Sequence, residues 1–201
     1  MTREDDPRKE CRGSRIQGAE IETYLLPFRL IGGSDSQYQL GDYDRIQCLT
    51  VLLLGLVGSG YLSQFVKCIS SAWNGQIFFN NSNLSITGKS TLVEVLGNYI
   101  LGVEFRDVDR FQVRRKDGPT DTITSYTFFT RYTQRFPRPI TLIDTPGFQR
   151  GTPGDDQMLM NNIRTFIRLH HKQGIDAIIY VVPGPQVVFA SPIAFRSVAL
   201  L

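Results

Sequence analysis

Residues 49–60 read LTVLLLGLVGSG, and this stretch decides the fold that we expect. Residues 49–57 are a continuous apolar run, which is typical of a buried parallel strand whose sheet is covered on both faces. Residues 55–60 overlap the end of that run and are rich in glycine. Glycines at the end of a strand let the backbone curl, so that successive amide groups can point at a phosphate.

The second half of a phosphate-binding loop lies further along the chain, where residues 88–91 read GKST and open a segment with helical apolar spacing. The complete pattern is G-x-x-x-x-G-K-[ST], in which the lysine reaches the outer phosphates and the hydroxyl binds Mg²⁺. Removing residues 61–88, or equally 60–87, joins the halves into GLVGSGKST, so Gly60 and Gly88 compete for one role. The pattern predicts these phosphate-binding residues: Gly55, Gly58, Ser59, Gly60, Gly88, Lys89, Ser90 and Thr91.

The interposed segment, residues 61–87, differs in composition from the rest of the chain. It carries one charged residue, Lys67, whereas 20% of the whole chain is charged, and it holds the only tryptophan, Trp73. We interpret it as an insertion, either translated non-coding sequence or a genuine loop. Because it interrupts the series of phosphate-facing amides, we expect nucleotide binding at least about a hundredfold weaker than in the uninterrupted version.

A second motif follows another apolar run, PITLID at residues 139–144, which we predict to be a buried strand. The run ends at Thr145-Pro146-Gly147, a turn sequence. An Asp at the end of a buried strand suits a carboxylate linked to Mg²⁺, and a Gly three residues later suits an amide directed at the γ-phosphate. Asp144 and Gly147 are therefore candidate ligands, with an ordinary strand-ending turn as the alternative.

A loop before the next predicted strand supplies candidate threonines. Residues 121–124 read DTIT, and a nucleotide-sensing loop needs a threonine that meets both Mg²⁺ and the γ-phosphate. Thr124 is the first candidate metal ligand, and Thr122 is the second. Threonines are also common where a loop enters a strand, so that purely structural interpretation stays open.

The remaining segments favour an α/β fold. Residues 89–101 and 155–171 have helical apolar spacing, and residues 125–132 and 176–182 read as further strands. Strands that alternate with helices indicate a mostly parallel sheet. Only residues 183–201 follow the last of these strands, so we expect a domain that is truncated in its C-terminal half.

The segments GLVGSG, GKSTLVEVLGNYILGV, TDTITSY and ITLIDTPGF resemble, in this order and spacing, the septins and the related GIMAP-type, immunity-associated GTPases. The resemblance covers residues 49–182 apart from the interposed segment. It implies a Ras-like P-loop three-layer sandwich, Mg²⁺-dependent binding of GTP or GDP, a regulatory or assembly role, and self-association as a homodimer or filament. It also implies roles for individual residues: Lys89 and Thr124 in catalysis, Ser90, Thr124 and Asp144 at the metal, and Gly147 at the nucleotide.

Two departures from that family pattern affect the expected activity. The N/T-K-x-D motif that reads the guanine base is absent, so guanine preference rests on the resemblance alone. Phe148 stands where Ras-like enzymes have a water-orienting Gln, and Gln149 is one position late, which predicts slow intrinsic hydrolysis. Two alternatives stay open: an ATP-using P-loop protein, and a non-enzymatic scaffold or binding module whose nucleotide site is disabled.

Bulk properties favour a cytoplasmic protein. The three cysteines have no metal-ligand spacing, and the charged N-terminus has no signal-peptide core. The net charge of +3 gives no indication of nucleic-acid binding. The apolar stretch 175–195 is interrupted by Asp and Pro residues, so we expect no transmembrane segment.

The chain divides, on this interpretation, into two parts. Residues 1–45 are expected to form a charged, largely disordered extension, because they offer little to bury. Residues 46–201 are expected to form a partial G domain that contains the inserted segment. Near the end of the second predicted helix, His170 and His171 are interpreted as solvated side chains or as favourable charges at a helix C-terminus.

Overall fold

The computed structural model describes residues 8, 11–19, 21–31, 35–42, 47–56, 62–69, 88–113, 120–129, 138–148 and 151–183. Within them the chain forms nine strands and two helices in the following order: β1 Glu22–Leu25, β2 Arg29–Leu30, β3 Gln37–Leu40, β4 Leu49–Gly55, β5 Leu62–Ile69, α1 Gly88–Ile100, β6 Asp109–Gln112, β7 Thr124–Phe128, β8 Ile140–Asp144, α2 Pro153–His170 and β9 Ala177–Pro183.

The larger sheet has seven strands in the order β2-β3-β7-β8-β4-β9-β5, and a second sheet pairs β1 with β6. The pairs β3–β7, β4–β9 and β1–β6 run parallel, whereas the edge strands β2 and β5 run antiparallel to β3 and β9. The predicted α/β class with a mostly parallel sheet is confirmed at this coarse level. The sheet is mixed because both of its edges are antiparallel.

Six of these elements lie where the apolar patterns predicted them. Strands β4, β7, β8 and β9 and helices α1 and α2 overlap the predicted segments, with ends that differ by a few residues. Strand β6 lies in a stretch for which the apolar patterns predicted no strand or helix. No helix in the part of the chain that the structure describes is long and apolar enough to cross a membrane.

The chain separates into two compact units, each assembled from several stretches. The first unit comprises Met1–Leu49, Leu92–Gly118 and Thr124–Leu142. The second unit comprises Thr50–Thr91, Pro119–Ile123 and Ile143–Leu201.

In the first unit, the N-terminal segment has more structure than its composition predicted. Strands β1, β2 and β3 all fall within residues 1–45, for which we expected a largely disordered extension. Two ion pairs link residues before β1 to the region where β6 begins: Arg8–Asp107 and Arg12–Asp109, each at 2.7 Å. Local composition did not indicate this order, because it depends on partners almost a hundred residues away.

An aromatic cluster packs β3 and β7 together in the first unit. The ring of Phe28 makes edge contacts with the rings of Tyr38, Tyr126 and Phe128, at centroid distances of 5.4 to 6.3 Å. Tyr38 and Tyr126, which pair across the two strands, stack at 5.5 Å. Such aromatic pairs stabilise a fold beyond the area that they bury.

The core of the second unit is formed by the sheet and α2. Its buried side chains come from β4, β8, α2 and β9: Leu52, Leu54, Ile143, Ile163 and Tyr180. Helix α2 begins with a capping box, in which Thr152 N donates to Asp155 Oδ2 at 2.7 Å and Pro153 occupies the first turn. This cap satisfies amide groups that would otherwise lack partners at the helix start.

The C-terminal end of α2 differs from the prediction for one of its two histidines. Burial, and then the neighbouring His170, lowers the pKa of His171 from its ordinary value of 6.5 to about 4. His171 is therefore neutral near pH 7 and does not act as a charge at the helix end. For His171 the prediction was wrong, because sequence alone does not show that its ring lies 5.6 Å from the ring of Phe166. His170 is exposed, in agreement with its prediction as a solvated side chain.

Candidate functional site

The two halves of the predicted phosphate loop meet at the end of β4. Lys89, in the first turn of α1, extends its Nζ to within 3.3 Å of the carbonyl oxygen of Gly55, the last residue of β4. The lysine is buried, with only 7% of its surface exposed. A buried ammonium group needs oxygen or anionic partners, and the carbonyl oxygen of Gly55 is one of them.

Gly55 is required at its position by close packing. A Cβ added there would lie 2.5 Å from the carbonyl oxygen of Val181 on the neighbouring strand β9. The Gly55 carbonyl also accepts a hydrogen bond from Phe148 N at 3.0 Å, so the end of β4 is held to the residues that follow β8. The glycine thus allows strand packing at the same point where Lys89 approaches.

Three oxygen-bearing side chains converge at Ser90, the residue that follows this lysine. Ser90 Oγ and Thr120 Oγ1 each donate to Asp144 Oδ2 at 3.0 Å, and the two hydroxyl oxygens are 2.7 Å apart. Asp144 is the last residue of β8 and is 1% exposed. The two hydroxyl groups have two protons between them, and these can form hydrogen bonds in only two of the three contacts. In the remaining contact, two oxygen atoms lie close together with no proton between them.

This oxygen triangle fits a small hard cation. Mg²⁺ prefers six oxygen ligands at about 2.1 Å, so neighbouring ligand oxygens at right angles lie about 3.0 Å apart. The three distances of the triangle are close to that spacing. Ser90, Thr120 and Asp144 would therefore be the side chains that hold Mg²⁺. In the described residues there is no cluster of three His, Cys, Asp or Glu side chains that would instead suggest a transition metal.

The turn after β8 is buried and fixed in place. Thr145 is fully buried, and its Oγ1 donates to the carbonyl oxygen of Leu53 at 2.8 Å. Gly147 is also buried in this turn, and the next residue, Phe148, forms an isolated parallel bridge with Leu56. The predicted ligand Gly147 therefore lies between Asp144 and a residue anchored to the end of β4.

The threonine that contacts Ser90 and Asp144 is Thr120, which the sequence prediction missed. Thr124, the predicted metal and catalytic residue, is the first residue of β7 in the other unit, and Thr122 is exposed. The signal was present, since the motif TDTITSY begins at Thr120. Thr120, Thr122 and Thr124 stand at alternate positions. Sequence does not show which of them is the best candidate ligand, because that depends on where β7 begins.

The remaining predicted residues divide into two groups. Gly88 is the first residue of α1, and Thr91 follows Ser90 in its first turns. That helix has no acidic side chain in its first turn. The predicted residues Gly58, Ser59 and Gly60 lie outside the described residues.

Comparisons of this chain with models of known protein families, with curated proteins and with solved structures find no match.

Proposed function

We propose that this chain binds a guanine nucleoside triphosphate or diphosphate together with Mg²⁺ and hydrolyses the triphosphate slowly. The observation that carries the proposal is the convergence of Lys89 with the Ser90–Thr120–Asp144 triangle at the ends of β4 and β8. The buried ammonium group of Lys89, next in sequence to one of several hard oxygen ligands, suits the binding of a nucleotide's phosphates together with Mg²⁺. Guanine as the base, and the Ras-like arrangement, rest on the resemblance to septin-type GTPases.

Each residue has a definite part in this proposal. Lys89 neutralises the outer phosphates, and the N-terminal amides of α1 receive phosphate oxygens. Ser90, Thr120 and Asp144 would hold Mg²⁺, which would supply positive charge to neutralise the phosphates. In this proposal the amide of Gly147 would meet the γ-phosphate. A water molecule would attack the γ-phosphorus in line with the β–γ bridging oxygen. The bond between the γ-phosphorus and that oxygen would break, the nucleoside diphosphate would leave, and the proton of the water would pass to the released phosphate.

Slow hydrolysis is supported by the surroundings of Phe148. Its backbone N–H is engaged by Gly55, and its side chain packs against the core of the second unit. A phenyl ring has neither a donor nor an acceptor with which to orient water. Phe148 therefore cannot act as the glutamine does in Ras-like enzymes, and faster turnover needs a residue supplied by a partner.

The interposed segment does not keep Gly55 and Lys89 apart. Gly55 and Lys89 are in contact although more than thirty residues separate them. Lys89 and the first glycine of the motif are thus in contact in the interrupted chain. We retain the expectation of weaker binding, because the amides between Gly55 and α1 are not those of one continuous loop.

Titration with a fluorescent GTP analogue tests the proposal directly. The intact chain, a Lys89→Met variant and a Lys172→Met control at an exposed position are measured with Mg²⁺ present. Loss of a charge-assisted contact with phosphate predicts affinity at least about tenfold lower for Lys89→Met, and no change for Lys172→Met. Equal affinities of the two variants would contradict the proposed site.

Two further measurements distinguish GTP binding from the alternatives, an ATP-using protein and a scaffold with a disabled nucleotide site. ATP that competes better than GTP would select an ATP-using protein. A version without residues 61–88, which reads GLVGSGKST, is expected to bind at least about a hundredfold more tightly than the intact chain. If neither version binds nucleotide, the disabled scaffold becomes the correct interpretation.

A further inference from the structure

Strand β9 lies between two strands that approach it from opposite sides. Its residue Val181 pairs with Gly55 of β4, in parallel, and with Val66 of β5, in antiparallel orientation. Strands β4 and β5 therefore flank β9 on its two sides. The interposed segment, which the sequence presented as an interruption, thus provides the edge strand of the larger sheet.

Without β5, the far side of β9 would be an unprotected edge. Strand β9 reads AIIYVVP and contains no charged residue. An apolar strand with unpaired backbone groups is a template for pairing with another chain. The hydrogen-bonding capacity of β9 on this side is used by β5 at four consecutive positions, from Val66↔Val181 to Ile69↔Ile178.

Strand β5 has the features that natural proteins use to protect an edge. It carries Lys67 within the strand, and its register with β9 shifts between Leu62 and Val66. A lysine and a local irregularity both discourage the addition of a further strand. Strand β9 has no lysine. With β5 as the outermost strand instead of β9, the edge of the sheet is less able to pair with another chain.

We propose that residues 62–69 are an intramolecular edge guard, which covers the outer edge of β9 and prevents it from pairing with β9 of a second copy of this chain. Two copies related by a two-fold axis perpendicular to the sheet pair their edge strands antiparallel. That is the orientation in which β5 already lies on β9, so the edge accepts such a partner. This inference does not depend on nucleotide binding.

The first test weakens β5 without shortening the chain. Backbone N–H groups alternate in direction along a strand, so one of Val66 and Lys67 directs its N–H at β9. Proline at both positions, Val66→Pro with Lys67→Pro, removes that donor. The control, Val66→Thr with Lys67→Arg, keeps β-strand propensity and charge.

Light scattering after size exclusion gives the molar mass of each folded variant, with far-UV circular dichroism as the check on folding. We expect the proline variant to show at least twice the mass of the control at the same concentration. A folded proline variant with the mass of its control would overturn the proposal. The version without residues 61–88 is expected to self-associate in the same way.

The second test uses the native register and is independent of whether the proline variant folds. Cys68 lies opposite Ile179 across β5 and β9, and paired antiparallel residues are within the range that a disulfide spans. Mild oxidation of an Ile179→Cys variant should give an intramolecular bond to Cys68, identified by peptide mapping. The same variant with Cys68→Ser is the control. Absence of that bond in the first variant means that β5 does not cover β9.

Discussion

The hydroxyl of Thr120 can be removed, with side-chain shape largely kept, by a Thr120→Val substitution. That hydroxyl donates to Asp144 Oδ2 at 3.0 Å and lies 2.7 Å from Ser90 Oγ. A hydrogen bond to a charged group contributes about 1.5–3 kcal/mol, and water does not easily replace it when the acceptor is buried. We therefore expect the variant to lose about 1.5–3 kcal/mol of unfolding free energy, measured by urea denaturation.

The same loss should appear in nucleotide binding. If Thr120 helps to hold Mg²⁺, the variant should bind the fluorescent GTP analogue about 10–150-fold more weakly in the presence of Mg²⁺, since each 1.4 kcal/mol is a factor of ten. With EDTA in place of Mg²⁺, the intact chain and the variant should bind equally, because the hydroxyl then has no metal to hold.

The neighbouring threonines are the matched controls for this prediction. Thr122→Val changes an exposed side chain and should leave both stability and affinity unchanged. Thr124→Val changes the first residue of β7 and should leave the Mg²⁺-dependent part of the affinity unchanged. Equal stability of Thr120→Val and the intact chain, or a Mg²⁺-dependent loss found in Thr124→Val instead, would refute the assignment of Thr120.

Two further predictions concern stability. Gly55→Ala should cost about 1–3 kcal/mol by urea denaturation, because the added Cβ would lie 2.5 Å from Val181 O; Gly154→Ala, with nothing nearer than Thr152 Oγ1 at 3.5 Å, is the control and should be neutral or slightly stabilising. The second concerns His171, whose pKa is lowered to about 4, below the ordinary 6.5. The unfolded chain therefore binds the proton more strongly between these values, and stability falls as pH drops from about 6.5 to about 4. Because the side chain is partly screened by solvent, we expect a contribution of about 1–2 kcal/mol across that window. A His171→Gln variant should lose less stability than the intact chain between pH 7 and pH 4.5, and an unchanged pH dependence would show that His171 is not responsible.

Much of the fold could be predicted from local sequence, because its signals are local. The apolar runs that became β4 and β8 are buried on both faces, and an unbroken apolar run of that length is what such burial requires. The spacing in α1 and α2 follows from the helical period. For the same reason Lys89, Ser90 and Asp144 could be chosen from their positions at the ends of these elements, where phosphate and metal chemistry needs them.

By itself, then, the sequence determined which segments become buried strands and helices and which residue types stand at their ends. Only the tertiary structure decided which threonine joins Ser90 and Asp144, that residues 62–69 pair with β9, and that residues before β1 form ion pairs with the region around β6. The physical reason is the separation along the chain. Thr120 lies thirty residues from Ser90, and Arg12 lies 97 residues from Asp109. Such contacts depend on how strands are ordered and registered in space, which no local periodicity records.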